Sequence, residues 1–370
     1  MKRIIELCML VAVCMGLHAC NDWLDVQPAE EMGVEDMFAS EAGFKDALTA
    51  CYIKMYSDNL YGKNLTQSNI EYLAQHWETP DMNGEDIRSM KNFEYDAETV
   101  ESTFSSVYSE MYNVIAQANA VLNKLPEYGG NIESPAMRKL IEGELLAIRA
   151  FCHSDILRLF GQVPGTATIQ VSLPYVEEVT IESLEFFPFD QFVEKIFADI
   201  HAAEELLKEV EPLTQYTFAE LDNLANVTLL EDEFYLCRRF RFNYYALKAL
   251  EARLQLYLGD ETKAYELAME VINAKTETGN ALLTLGGEAD FAQQNFALPS
   301  ECLLALNKSD LSNLDNSLYM TEGGVDEIFE GQQAEHNRKG ALWQKTLVNS
   351  EERMLLQKYR QPDASEMVGD

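Results

Sequence analysis

Apolar positions recur at three- and four-residue steps through most of the chain, the period of helices with one buried face. Phe44, Leu48, Cys51/Tyr52 and Met55 keep this spacing behind Ser40, a residue type that caps helix N-termini. Val107, Met111, Val114, Ala118, Val121 and Leu125 repeat it, with Pro126 expected to close that helix. Ser134-Pro135 offers a cap followed by proline at the first helical position. Ile141, Leu145, Ile148, Cys152, Ile156 and Leu159 then form one stripe, and Leu146, Ala150 and Leu157 a second, so this helix should be buried between neighbours until Gly161 and Pro164 end it. Asp190 opens another helix, with Glu204, Glu205, Lys208 and Glu209 expected on its wet side. Phe242–Leu258 and Glu261–Ala274 read as a helix pair joined by Gly259-Asp260, with Ala246, Ala249 and Ala252 permitting close approach. These are marks of a tetratricopeptide-like unit. The predicted fold class is all-α: a helical repeat scaffold with long irregular loops.

The loops fall where the period fades, at 58–100, 161–188, 212–238 and 276–345, with turn pairs Asn83-Gly84, Gly286-Gly287 and Gly323-Gly324. Short strands are expected around Thr166–Ser172. No low-complexity linker divides the chain, so residues 20–370 are read as one helical domain.

Residues 1–19 are a different kind of segment. Lys2 and Arg3 precede an apolar stretch from Ile4 to Leu17, too short to span a membrane stably, which reads as a secretory signal. Leu17-His18-Ala19-Cys20 resembles the lipobox of bacterial lipoproteins, with His18 departing from the usual small residue. Cys20 is therefore the expected lipidation site, and several acyl chains at about 0.8 kcal/mol per buried CH₂ would hold the protein at a membrane surface.

Composition narrows the function. Of 370 residues, 28 are Lys or Arg and 62 Asp or Glu, a formal charge of −34, and such a field repels nucleic acid. Hydrophobic residues make up 47%, ample for a core. Cys51, Cys152, Cys237 and Cys302 lie far apart without metal-ligand spacing; Cys51 and Cys152 read as small buried hydrophobes. No metalloprotease, nucleophile-elbow or phosphate-loop string occurs, and adjacent acids such as Glu177-Glu178 and Glu204-Glu205 read as solvated faces. The expectation is a binding protein without catalytic residues, metal or cofactor.

Cys20-Asn21-Asp22-Trp23-Leu24-Asp25-Val26-Gln27-Pro28 resembles the mature start of the SusD/RagB family of outer-membrane nutrient-binding lipoproteins. Gly143–Phe151, continuing through Asp155 to Leu159-Phe160-Gly161-Gln162-Val163-Pro164, is similar to the family's alanine-arginine-aromatic helix and its closing turn. Tyr112–Ile115 with Asn119, Ala198–Ile200 with Ala203, Ala249–Ala274 and Gln357–Pro362 follow in the family's order. Members usually continue past this last segment into a further helix, so the C-terminal part is expected to be truncated or shortened. The resemblance implies a surface-exposed oligosaccharide-binding lipoprotein on the cell outer membrane that delivers its ligand to a SusC-like TonB-dependent transporter. It also implies that Arg149, Phe151, Arg158 and Phe160 hold the fold, Arg149 against a carboxylate or carbonyls.

A neutral sugar rests its C–H face on an aromatic ring and binds short polar side chains through its hydroxyls. Trp77 followed by Asp81 and Asn83 offers both, although Trp77 reads equally as a plug of the scaffold. Tyr61 and Trp343 are further ligand-binding candidates. Arg238-Arg239-x-Arg241 is the dense basic cluster, at a helix start where Glu231 and Glu233 could pair with it. A neutral ligand is thus favoured. The competing readings are a scaffold that recognises only protein, and a binder of peptide rather than glycan.

Overall fold

The structure, a computed structural model, describes residues 33–77, 85–165, 169–287, 289–290, 298–306, 319–329, 343–348 and 351–356. After a single turn, α1 (Val34–Met37), the chain enters α2 (Glu41–Met55), whose first turn is capped by the Ser40 hydroxyl accepting from Gly43 N–H at 3.4 Å. The stretch read as a loop from 58 contains two short helices, α3 (Asn69–Leu73) and α4 (Glu85–Lys91). The helix α5 runs Glu98–Leu122, and Pro126 lies inside a separate turn, α6 (Leu125–Tyr128), rather than closing α5. Proline is tolerated there because the first turn of a helix has no partner for its N–H groups.

The central helix α7 (Pro135–Phe160) begins with Ser134 accepting from Met137 N–H at 3.3 Å and ends at Gly161, as its sequence predicts. Ile141, Leu145, Ile148, Cys152 and Ile156 are all fully buried on one stripe, and Ala150 and Leu157 are buried on the other. Both stripes are covered because α5 and α2 pack on one side and α8 (Phe189–Val210) on the other. Before α8, β1 (Ser172–Pro174) pairs antiparallel with β2 (Phe186–Pro188), so the expected strand begins at the very end of its predicted span. Close approach of α7 and α8 depends on Gly143, where a Cβ would stand 2.8 Å from Leu207 Cγ.

The one-turn helix α9 (Phe218–Asp222) carries a reciprocal capping box between Thr217 and Glu220. Asn243 then caps α10 (Tyr244–Leu258), accepting from Ala246 N–H at 2.9 Å, and Asp260 caps α11 (Glu261–Ile272), accepting from Lys263 N–H at 2.9 Å. Gly259 joins this pair at φ +91°, a conformation that costs other residues more. Beyond it come α12 (Glu322–Ile328) and an antiparallel hairpin, β3 (Trp343–Val348) with β4 (Glu351–Leu356). The architecture is therefore the expected mostly helical one, with two small two-stranded sheets among the described residues.

Buried charges fasten the scaffold. Arg149 on α7 makes two 2.6 Å bonds to Asp199 on α8 and one of 2.9 Å to Asn119 on α5. His153, one turn on, stacks on Tyr175 at 3.8 Å and accepts Val176 N–H at Nε2, so its Nδ1 donates to the Arg149 carbonyl. Burial, then the Arg149 charge, pushes this imidazole down to about 3, and it stays neutral.

Two surface readings are corrected. Glu204 is not on a wet face: it is 8% exposed, because Lys248 on α10 meets it at 2.7 Å. Burial pushes its carboxyl up to about 7, with Lys248 opposing and Glu251 adding to the rise. The Arg238–Arg241 cluster pairs not with Glu231 and Glu233 but with Glu144 and Glu211 around the fully buried Arg238, and with Asp222 at Arg239. It is a core fastening, closed to ligands. Cys51 and Cys152 are buried free thiols, as expected; burial pushes Cys51 up to about 12.

Candidate functional site

A satellite cluster beside the main core gathers the rings of the long loops. Tyr72, Trp77, Met90, Val100, Met320, Val325 and Met354 are buried in it, with Phe104 and Trp343 packed alongside. Helices α3 and α4 end in the same way to build it. His76 N–H bonds Glu71 O at 2.9 Å and Gln75 N–H bonds Tyr72 O at 3.1 Å; Glu94 to Ser89 O and Phe93 to Met90 O repeat the pattern at 2.9 and 3.1 Å. Both are Schellman turns, yet the left-handed position holds Gln75 (φ +62°) and Phe93 (φ +58°) where glycine is usual. Each costs about 1 kcal/mol or more. Gln75 Nε2 also donates to Lys91 O at 2.7 Å, tying the two turns together.

This geometry sorts the rings into hidden and displayed. Trp77 is 1% exposed, its indole N–H donates to Gln67 O at 2.8 Å, and its edge meets Trp343 with ring centres 6.1 Å apart. Trp77 is thus the scaffold plug and offers no ring face to a sugar, which corrects the platform reading. Trp343, half-buried, starts β3 against it. Next to this cluster, Phe93 is 49% exposed and Tyr95 54% exposed. Phe93, Tyr95 and Phe104 form a ladder with centre spacings of 6.2 and 5.8 Å.

Tyr95 and Phe104 line a cleft of about 410 Å³ together with Asn69, Ile70, Leu73, Leu159 and Phe160. Leu159, read as part of the buried stripe of α7, emerges here at 36% exposure. The Asn69 Nδ2 is buried without a hydrogen-bond partner among the described residues. Two aromatic residues and an asparagine with an unpartnered amide nitrogen thus line one cleft.

Tyr61 lies elsewhere. Its hydroxyl donates to Asp155 Oδ2 at 2.8 Å and its ring packs on Phe151 at 5.2 Å, on a second cleft. The structure brings Trp77 and Trp343 together and keeps Tyr61 apart from them. Asp81, Asn83 and Cys20 lie outside the described residues. The ladder itself was missed, although Asn92-Phe93-Glu94-Tyr95-Asp96 satisfies the criterion of rings among short polar residues that singled out Trp77.

Along residues 22–229 the chain matches the model of the SusD-like family described as starch-binding and associating with the outer membrane. It is 26% identical to the SusD-like protein P38 of Formosa agariphila over 227 residues, 60% of this chain and 41% of the relative. Identity to the SusD-like protein P25 of the same organism is 20% over 316 residues, 82% of this chain and 52% of the relative. The chain thus spans about half the length of these relatives. Among solved structures, a SusD superfamily protein from Bacteroides vulgatus superposes with a TM-score of 0.64 at 18% identity, over 88% of this chain and 70% of that one. A SusD-like carbohydrate binding protein from that organism gives 0.61 at 15% identity, over 89% and 67%. At such identities these superpositions speak to the fold alone. The family match spans more than half of the sequence, including the Arg149 helix and the ring ladder, and on it the chain belongs to the SusD-like family.

Proposed function

We propose that this protein captures an oligosaccharide outside the cell, held to the outer membrane by lipid on Cys20, and hands it to a SusC-like TonB-dependent transporter without chemical change. The ladder of the exposed Phe93 and Tyr95 with the half-buried Phe104, on the cleft that Asn69 also lines, carries the reading. The name of the Bacteroides vulgatus neighbour, a carbohydrate binding protein, and the outer-membrane description of the family support it. Among the described residues no helix is long and apolar enough to cross a membrane. The ligand at the ladder is uncharged, because the basic triplet at 238–241 is spent inside the core.

Calorimetric titration with a panel of neutral oligosaccharides tests the proposal. Binding is expected, and Tyr95→Ala should weaken it by about fivefold, the worth of one ring contact of about 1 kcal/mol. Silence of the folded protein toward every glycan refutes glycan capture. For the anchor, metabolic labelling with an alkynyl fatty acid should mark the wild type and not Cys20→Ala. Co-purification from membranes should recover the transporter.

A further inference from the structure

A second cleft, of about 550 Å³, opens between the turn carrying Tyr61, the middle of α7, α10 and the segment 302–306. Its walls are apolar: Phe151, Phe242, Leu250, Leu304 and Leu306. The outer wall is pinned, since Ala305 N–H bonds Arg239 O at 2.8 Å and Asn243 Nδ2 bonds Leu303 O at 2.8 Å.

Charge at this cleft runs against the rest of the molecule. Asp155, bonded to the lining residues Tyr61 and Arg253, accepts Tyr61 O–H at Oδ2 (2.8 Å), and at Oδ1 both Arg158 Nη1 (2.9 Å) and Arg253 Nη2 (3.1 Å). Two guanidiniums share one carboxylate, leaving a local excess of one positive charge in a chain of net charge −34. Arg253 borders the cleft with 40% of its side chain exposed and, among the described residues, makes one hydrogen bond and leaves its buried Nε without a partner. Guanidinium is a planar fork suited to a second carboxylate.

We infer that this cleft binds a small molecule with a hydrocarbon body and a single carboxylate, the body against Phe151 and the leucines and the carboxylate on Arg253. A hydrocarbon body suits the cleft because most of its lining side chains are aliphatic or aromatic. The volume lies within the range of small-molecule sites. The site is separate from the ring ladder, so each stands or falls alone.

Calorimetry with decanoate, decanamide and N-acetyl-trileucine tests the inference. Decanoate should bind at least about tenfold more tightly than decanamide, the usual worth of a charged hydrogen-bonded contact. Arg253→Gln should abolish that ratio, and Ala249→Trp, which fills the cleft from α10, should weaken both ligands. Arg158→Gln should lower the ratio, and serves in place of Arg253→Gln should circular dichroism show that variant unfolded. Equal binding of acid and amide, no binding of decanoate, binding of trileucine in its place, or an unchanged ratio in the arginine variant overturns it. Oligosaccharide binding should be unchanged in Arg253→Gln.

Discussion

Replacing Arg238 by Met tests what holds the scaffold together. Arg238 is fully buried and donates to Glu211 through Nε and Nη2 at 3.0 Å each, to Glu144 through Nη1, and to the Phe242 carbonyl at 2.6 Å. Met fills much of the same volume, so the loss is chiefly electrostatic. Removing one partner of a buried ion pair costs about 3–5 kcal/mol, because the other charge remains without water. The two carboxylates do not share that cost equally. Glu144 keeps the Tyr52 hydroxyl at 2.7 Å and the Arg241 cation at 3.2 Å, whereas Glu211 keeps Tyr244 N–H at 3.0 Å and no cation among the described residues. Adding Glu211→Gln to Arg238→Met should therefore recover about 2 kcal/mol, and adding Glu144→Gln less than about 1 kcal/mol. Urea unfolding followed by far-ultraviolet circular dichroism reads these as midpoint shifts at constant slope. A single-variant cost below about 1 kcal/mol, or equal recovery by the two second substitutions, refutes the reasoning.

Three further outcomes are expected. Glu204 has its folded value raised from 4.5 to about 7, so its contribution is full below the unfolded value and fades as pH rises through the folded one; the full rise corresponds to about 3 kcal/mol, which screening by solvent at this partly hydrated pair reduces to about 2 kcal/mol, and Glu204→Gln, which mimics the protonated acid, should remove the drop in pH-dependent denaturation. His153 runs the other way: held near 3 against 6.5 unfolded, it makes stability fall as pH drops below 6.5, and His153→Gln should reduce that acid slope by up to about 1.4 kcal/mol per pH unit. Gly143→Ala gains about 1 kcal/mol of helix propensity but drives a methyl to 2.8 Å from the buried Leu207 Cγ, and overpacking of about 1–3 kcal/mol should win, lowering the melting midpoint.

Much of the scaffold is legible in short stretches of sequence. Ser40, Ser134 and Gly259-Asp260 mark helix ends that the structure places where they stand, because a cap is settled by residues three or four apart. The double stripe of the Arg149 helix likewise announces that both its faces are covered. Short helices such as α3 and α4 escape detection, since one or two turns carry too few apolar repeats to show a period.

The candidate sites were less legible, for a different reason. Trp77 and Tyr95 both sit among polar loop residues, and their local sequences do not tell which ring is hidden; the Trp343 hairpin, arriving from far along the chain, buries one and leaves the other in solvent. Glu204 looks wet until Lys248 faces it, and the densest basic cluster looks available until Glu144 and Glu211 close around it. Conversely, the positive spot at Asp155 appears in no run of sequence, because Arg253 reaches it from 98 residues away. The sequence by itself determined helix period, helix ends and family membership, all carried by neighbours in the chain. Exposure and the sign of local charge were decided by tertiary structure, since both depend on which distant side chains arrive to exclude water or neutralise a charge.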